Sequence, residues 1–532
     1  MKILATYLGH ESSFTFYDNG KITTVELDKL VGDKWFSGQS IPAVEFADIC
    51  EQAFDIIGCH EFDLWINGSW HNGDYNGHVW HTRFKNIIKA KRVIVGPGHH
   101  ELHAWGSFYQ SPFDKALTIS TDGGGNDGVF NIYRCDRETG IHNFERIDRF
   151  DFGTIYGLIG ALSREVDEKY HFLNVAGKAM GLAPFYKPND PLTDKEKDVR
   201  TQVGLALSSS NMQPIYKKNK LPRETSNWNT NIKNKKSAIT IKNNLDSRRY
   251  IYFLQNALNH KMNDIIVDRS YEVFSRYDGN VVLTGGVALN VTMNEFIKNE
   301  SGLNVFVPCN PSDRGLSLGL LYWYLYMTGQ KIPEGSQHLT GIPLIGDGPI
   351  DPSKRKTSIK TIAKMIKNGA IIGVAEGTNE IGQRALGRRS IICDPSVPGI
   401  KDKINSQVKH REMFRPFAPV VLEEHLDYFE SWNKDNLEFM SFALKCTDEF
   451  KEKFPAVVHV DGTARVQVCK DKNSTVYKLM KELGTPLLNT SFNIQGQPII
   501  ARESEAFEML EQGGLDAILV HGVLYKKPKS DK

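Results

Sequence analysis

The stretch Ala116-Leu117-Thr118-Ile119-Ser120-Thr121-Asp122-Gly123-Gly124-Gly125-Asn126-Asp127-Gly128 decides how this chain is read. An apolar run ends in an acidic, glycine-rich turn, and Val129 to Arg134 forms a second run behind it. Two strand-like runs around a turn of Asp, Asn and Gly are a hairpin signal. The same plan opens the chain. Lys2 to Tyr7 leads to a polar turn at Gly9-His10-Glu11, and Ser13 to Tyr17 follows, closed by Asp18-Asn19-Gly20. Two hairpins of one design, each leading into further β and α elements, predict a duplicated α/β unit.

Paired hairpins of this kind resemble the actin, sugar-kinase and Hsp-type ATPase (ASKHA) superfold. There two lobes clamp a nucleotide and each hairpin turn faces its phosphates. The resemblance is one of fold, and fold alone leaves chemistry open.

Chemistry enters just upstream. The apolar run Arg92-Val93-Ile94-Val95 passes through Pro97-Gly98 into the helical pattern His99-His100-Glu101-Leu102-His103-Ala104. His99 and His103 are four apart, so their rings project from one helix face, one turn above the other. With the carboxylate of Asp122 at a strand end, two imidazoles form a first-row metal site with open positions, which means catalysis rather than structure. The competing reading is ordinary polar packing, the commoner fate of a lone histidine pair. The zinc-protease spacing His-Glu-x-x-His is absent, because His100 and His103 are only three apart.

At 532 residues the chain is long enough for two or three domains. Apolar content of 40% and charged content of 24% are ordinary for a soluble globular protein. The seven cysteines are scattered, with no Cys-x-x-Cys pair, which argues for a reducing compartment and against a zinc ribbon. Met1 to Tyr7 is too short an apolar run for a signal peptide. The longest apolar run, Leu316 to Met327, falls short of the ~20 residues a membrane helix needs. The expectation is a cytoplasmic protein without a membrane partner.

The net charge of +2 hides an asymmetry. Between Asn211 and Tyr250 ten Lys and Arg face only Glu224 and Asp246, giving that window +8. Rich in Asn and Ser, it reads as an inserted loop at about 211–250. One reading is a solvated loop. The other is a contact for a polyanion such as nucleic acid, with Trp228 and Tyr216 as stacking groups.

Further on, the strand Asn280 to Thr284 enters Gly285-Gly286-Val287-Ala288-Leu289-Asn290 and then a helix. A glycine turn opening a helix offers free N–H groups to a phosphate or ribose. Ser312 or Asp313 would cap the helix that begins near Gly315. No Gly-x-x-x-x-Gly-Lys is present, which argues against P-loop chemistry. Residues 329–352, with five Gly and four Pro, are the best linker candidate, dividing the chain into 1–342 and 343–532. Beyond it polar anchors crowd together: Arg384, Arg388, Arg389 and Ser390; Lys409, His410, Arg411 and Arg415; Arg465; then Asn489, Thr490, Ser491 and Asn493. Arginine clusters beside Thr/Ser/Asn turns are phosphate pockets, since guanidinium forks meet phosphate oxygens bidentately. Arg415-Pro416-Phe417-Ala418-Pro419 is too stiff and apolar for a casual surface loop.

Taken together, the motifs resemble the O-carbamoyltransferase family that includes nodulation-factor and antibiotic-tailoring enzymes. The matching blocks include His99-His100-x-x-His103-Ala104, Asp122-Gly123-x-Gly125, Gly177-Lys178-x-Met180-Gly181-Leu182-Ala183-Pro184 and Gly285-Gly286-Val287-Ala288-Leu289-Asn290. Asp313-x-Gly315-Leu316-x-x-Gly319, Arg384-Ala385-Leu386-Gly387-x-Arg389-Ser390, Lys409-x-Arg411-Glu412-x-x-Arg415-Pro416-Phe417-Ala418-Pro419, Asp461-Gly462-Thr463-Ala464-Arg465-x-Gln467 and Asn489-Thr490-Ser491-Phe492-Asn493 follow in order.

The resemblance implies an N-terminal ASKHA-type domain like the universal tRNA threonylcarbamoyl-transfer enzyme and a C-terminal α/β YrdC-like domain. The latter would condense carbamoyl phosphate with ATP (as its Mg²⁺ complex), giving carbamoyl-adenylate and pyrophosphate. The former would move the carbamoyl group to an acceptor hydroxyl and release AMP. By the same resemblance His99, His103, Asp122 and Asp313 bind a divalent metal, iron(II) being expected. Lys409, Arg411, Arg415, Arg465 and Ser491 hold phosphates, with Arg384 and Asn489 alongside and Gly285, Gly286 and Asn290 on the nucleotide. His10 is the candidate base for the acceptor, as a neutral imidazole. Lys34 would steady charge on the carbonyl oxygen. Two departures from the family pattern, Glu11 for Asp and the run Glu26-Leu27-Asp28, fall near the acceptor side. Expected acceptors are a 5-hydroxymethyl pyrimidine in DNA or a sugar hydroxyl on a small molecule, and the expectations admit a homodimer. An ASKHA-fold kinase and a non-catalytic ATP-binding nucleic-acid protein are the alternatives from other classes.

Overall fold

The computed structural model describes residues 1–68, 83–163, 165–166, 172–211 and 244–527. Most of the basic window, residues 212–243 with Tyr216, Trp228, Lys233, Lys235 and Lys236, lies outside the described residues.

The duplication is visible in the sheets. Strands β1 (Lys2–Tyr7), β2 (Ser13–Asp18), β3 (Lys21–Glu26), β4 (Glu61–Asn67) and β5 (Lys89–Val95) lie in the order β3-β2-β1-β4-β5. Strands β6 (Lys115–Thr121), β7 (Phe130–Asp136), β8 (Gly140–Arg146), β9 (Asn280–Thr284) and β10 (Asn304–Phe306) lie as β10-β9-β6-β7-β8. In each sheet the first three strands are antiparallel neighbours, the fourth pairs in parallel with the first, and the fifth in parallel with the fourth. Two α/β lobes with this shared topology are the ASKHA architecture expected from the paired hairpins. Ile3, Leu4, Ala5, Leu117 and Ile119 are wholly buried, because the central strand of each sheet is covered on both faces.

The lobes meet through two helices. His99–Phe108 packs on Leu316–Met327, and a Cβ at Gly319 would lie 2.2 Å from the Leu102 carbonyl oxygen. Only glycine allows backbones that close. This contact sets the distance between the histidine pair and Asp313, which directly precedes the second helix.

The remaining strands are β11 (Ile372–Ala375), β12 (Arg389–Cys393), β13 (Ala418–Val421), β14 (Phe429–Glu430), β15 (Ala443–Cys446), β16 (Thr463–Arg465), β17 (Gln467–Val468), β18 (Leu487–Ser491), β19 (Ala517–Val520) and β20 (Val523–Lys526). Seven form a mixed sheet, β17-β13-β18-β12-β11-β19-β20, and three a small one, β14-β15-β16. The glycine- and proline-rich segment read as a linker is an ordered strap. Gly341 bridges Thr24, Ile345 bridges Arg502, and Ile342 and Leu344 are buried between them. Among the described residues no helix is long and apolar enough to cross a membrane.

Candidate functional site

The turn from Asp122 to Gly128 holds the metal-site helix by its N-terminus. Gly98 offers no side chain to cap the first turn. Instead Asn126 Oδ1 accepts the His99 amide at 2.9 Å, and the Asp127 carboxylate accepts those of His100 and Glu101. An acceptor and a negative charge at a helix start satisfy open N–H groups and complement the dipole.

Four side chains converge there. His99 Nε2 and His103 Nε2 are 3.2 Å apart, each lies 3.4 Å from Asp313 Oδ1, and His103 Nε2 lies 3.4 Å from Asp122 Oδ2. The four ligand atoms all fall within 4.8 Å of one another. Metal–ligand bonds of about 2.1 Å put neighbouring ligands about 3.0–3.4 Å apart, so these spacings are edges of a coordination shell. Asp313 Oδ1 is buried without a hydrogen-bond partner, as a ligand atom aimed at an ion would be. The residues therefore fit a metal. Burial lowers His99 and keeps its lone pair available. Burial would lower His103 too, but Asp122 and Asp313 outweigh it and raise the ring to about 9. Burial raises Asp313, yet His10, His99 and His103 prevail and hold it far below the carboxylate range.

The second oxygen of Asp313 is held from the other lobe. Tyr7 Oη donates to Asp313 Oδ2 at 2.5 Å, and His10 Nε2 lies 3.3 Å from the same atom. Tyr7 is not among the residues the sequence singles out, although its place at the end of β1, opposite the other hairpin, is a signal. His10, the base expected from the sequence, is made more basic than a free imidazole. Burial lowers it, but Asp313, Glu11 and Asp122 outweigh burial and raise it. His100 is structural, with Nδ1 2.7 Å from Ser120 Oγ and Nε2 3.0 Å from the Gly128 carbonyl, and burial pushes it down to about 4.

Three expected nucleotide contacts are already committed within the protein. The Gly285 amide donates to the Pro311 carbonyl at 2.8 Å and the Gly286 amide to Asp122 Oδ2 at 2.6 Å, so neither is free for a phosphate. Gly286 thereby orients a metal-site carboxylate instead. Asn290 caps the helix Val291–Ser301 through the Met293 amide and exchanges hydrogen bonds with Gln255. Neither Ser312 nor Asp313 makes the expected cap: Ser312 donates to Glu11 and Asp313 faces the histidines.

The two departures from the family pattern meet around one buried cation. Arg314 donates through Nε to Glu11 Oε1 at 2.9 Å and through both terminal nitrogens to Asp28, with Glu26 at 3.6 Å. Glu26 accepts the Gly382 amide at 2.8 Å, and Lys29 donates to the Glu380 carbonyl at 2.7 Å. The acidic run therefore fastens the first lobe to the loop that carries Arg384.

That loop belongs to a cluster of cations. Burial, then Arg415, pushes Arg384 down to about 10. Arg465 falls through burial, Arg384 and Arg415, and Arg411 through burial, Arg415 and Arg465. Lys34, donating to Asn174 at 3.0 Å, falls to about 7 through burial, Arg415 and Arg314, so it feels the same cations as this cluster. Like charges gathered in one place form a site for an anion.

Several predicted anchors support that cluster from behind. The Lys409 ammonium donates to the Ser491 carbonyl at 2.8 Å and to Asn493 Oδ1 at 2.6 Å, pinning the Ser491 turn. Asn489 Nδ2 donates to the Ala385 carbonyl and to Gln467, while Gln467 donates to the Leu386 carbonyl, which fixes the Arg384 loop. Arg388 pairs with Asp471 at 2.5 Å and buried Arg389 donates to backbone carbonyls, so both are structural.

The family profile described as Carbamoyltransferase N-terminus matches residues 59–320, and that described as Carbamoyltransferase C-terminus matches 363–527. The chain belongs to the carbamoyltransferase family and is a transferase. It is 30% identical over 456 residues to nodulation protein NolO of Bradyrhizobium diazoefficiens, covering 81% of this chain and 78% of that one. It is 30% identical over 458 residues to nodulation protein NolNO of Sinorhizobium fredii, where it spans 63% of the relative's length. Nodulation protein U of Rhizobium tropici is 34% identical over 260 residues, 47% of this chain and 44% of that one. Among solved structures, HypF of T. kodakarensis is similar at 14% identity and a TM-score of 0.36, covering 62% of this chain and 48% of that one. At that level the fold rests on the sheets described above.

Proposed function

We propose that the protein is an ATP-dependent O-carbamoyltransferase, with activation in residues 343–532, a YrdC-like unit, and transfer in residues 1–342. The observation that carries this is the group Lys34, Arg384, Arg411, Arg415 and Arg465, in which Arg415 lowers each of the other four. Carbamoyl phosphate and ATP bring the phosphates such a group needs.

In balance, carbamoyl phosphate loses inorganic phosphate to water, and a carbamate oxygen attacks the α-phosphorus of ATP. The new C–O–P bond gives carbamoyl-adenylate and pyrophosphate leaves. An acceptor oxygen then attacks the carbonyl carbon, the C–O bond to AMP breaks, and the proton passes to His10. Arg384, Arg411, Arg415 and Arg465 neutralise the phosphates, while Lys34 steadies the carbonyl oxygen. His10 is 32% exposed beside Asp313, so an incoming hydroxyl can reach it. His99, His103, Asp122 and Asp313 would hold a divalent metal, for which we propose iron(II). When bound, that ion supplies Lewis acidity to the phosphate and carbonyl oxygens of the donor.

For the acceptor we propose a 5-hydroxymethyl pyrimidine in DNA, supported by the +8 window of 211–250. A hydroxymethyl at C5 points into the major groove, so flipping is optional. The test combines the purified protein with ATP, carbamoyl phosphate and either hydroxymethylated DNA or a panel of sugars and nucleotides. AMP should appear only with both co-substrates, and mass spectrometry should show a carbamoyl gain on DNA. Gain on a sugar alone moves the acceptor and leaves the transferase; ATP turnover without carbamoyl phosphate refutes the activation step.

A further inference from the structure

The block around Lys178 stands out in the sequence, yet neither the metal site nor the phosphate cluster uses it. Lys178 lies on the helix Val175–Leu182 of the N-terminal half and is 3% exposed. Its ammonium sits 2.7 Å from Glu412 Oε1. The other Glu412 oxygen lies 3.8 Å from the Arg415 guanidinium. The same helix end packs on this loop, with Gly181 against Pro416 and the Phe185 ring 6.2 Å from that of Phe414.

Resting on the phosphate-pocket reading above, we propose that Lys178 is a positioning residue: it holds Glu412 so that Arg415 stays open to an anion. Glu412 lies three residues before Arg415 and is the carboxylate that offsets the burial of Arg415 and the repulsion on Arg411. Released from Lys178, the carboxylate turns onto Arg415, where a two-bond fork is the preferred arrangement of such a pair. That fork uses the guanidinium face a phosphate would take. The N-terminal half thus reaches into the activation site, and its hold on Glu412 decides whether the pocket is empty of its own anion.

The probe is inorganic pyrophosphate, with binding measured by calorimetry on the full chain. Lys178→Met should weaken pyrophosphate binding about tenfold or more, as breaking a buried charge pair does. In pyrophosphate release from ATP and carbamoyl phosphate it should raise KM more than it lowers kcat. Lys178→Arg should restore most of the affinity. The distinguishing variant is Lys178→Met with Glu412→Gln, which removes the competing charge and should recover binding beyond Lys178→Met alone, an outcome that a merely structural role for Lys178 does not give. A double variant no better than Lys178→Met, or unaltered binding in Lys178→Met, overturns the inference while wild-type binding preserves the pocket. Wild-type protein that binds no pyrophosphate overturns both.

Discussion

Tyr7 Oη donates to Asp313 Oδ2 across 306 residues of sequence, at 2.5 Å, while the other oxygen of Asp313 faces His99 and His103. The first hairpin thus orients a ligand that the turn before the helix Leu316–Met327 delivers. Outer partners of this kind tune metal sites strongly.

Tyr7→Phe should lower metal affinity by about 10–100-fold without unfolding the protein. Metal titration with the apoprotein checks this, and an unchanged affinity would remove Tyr7 from the site.

His99→Ala or Asp313→Ala should abolish carbamoyl transfer and leave carbamoyl-phosphate-dependent pyrophosphate exchange largely intact, because the two sites lie in different parts of the chain. Equal loss of both activities in a folded variant contradicts that separation.

Arg465→Ala should stop adenylate formation, and synthetic carbamoyl-adenylate should restore transfer. Arg465 is lowered first by burial and then by Arg384 and Arg415, so its removal relieves both costs. The variant should unfold about 2 °C higher than wild type without anions, the stability cost of a functional site recovered. Lower thermal stability, or no rescue by the intermediate, speaks against the assignment.

Lys34 is lowered to about 7, first by burial and then by Arg415 and Arg314. The folded protein loses this proton as pH rises through about 7, whereas the unfolded chain keeps it to about 10.4. More protons are bound by the unfolded state in that window, so this group's contribution to stability rises with pH there. Activity runs the other way. The ammonium disappears, and kcat/KM for transfer should fall above about pH 7, with Lys34→Arg abolishing that limb. A wild-type profile that stays level through that range excludes a charged Lys34 from the step.

Reversing Lys233, Lys235 and Lys236 should weaken binding of hydroxymethylated DNA and spare adenylate formation. Each phosphate that is no longer neutralised should flatten the salt dependence by a slope of about 0.9. Binding that ignores both salt and these charges ends the nucleic-acid acceptor.

Much of the fold was legible because its signals are local. Alternation in Lys2 to Tyr7 and Ala116 to Thr121, with Asp/Asn/Gly turns behind them, marks hairpins wherever they occur, and two of them announce two lobes. His99 and His103 were legible for the same reason, since helical spacing alone puts both rings on one face. Asp313 was not: nothing local separates a cap from a ligand, and only the family resemblance pointed to it. Gly285 and Gly286 look like a phosphate turn from sequence, yet their amides donate to Pro311 and Asp122.

The paired hairpins, the histidine pair and the arginine motifs after residue 380 are therefore properties of the sequence by itself, because periodicity and turn chemistry act between near neighbours. Which arginines remain for a ligand is a property of the tertiary structure. Arg388 meets Asp471 and Arg389 meets the Glu376 and Gly377 carbonyls, while Arg384 and Arg465 are lowered by burial and by neighbouring cations. A polar group is committed or free according to what stands across from it, and the fold brings that partner from far along the chain.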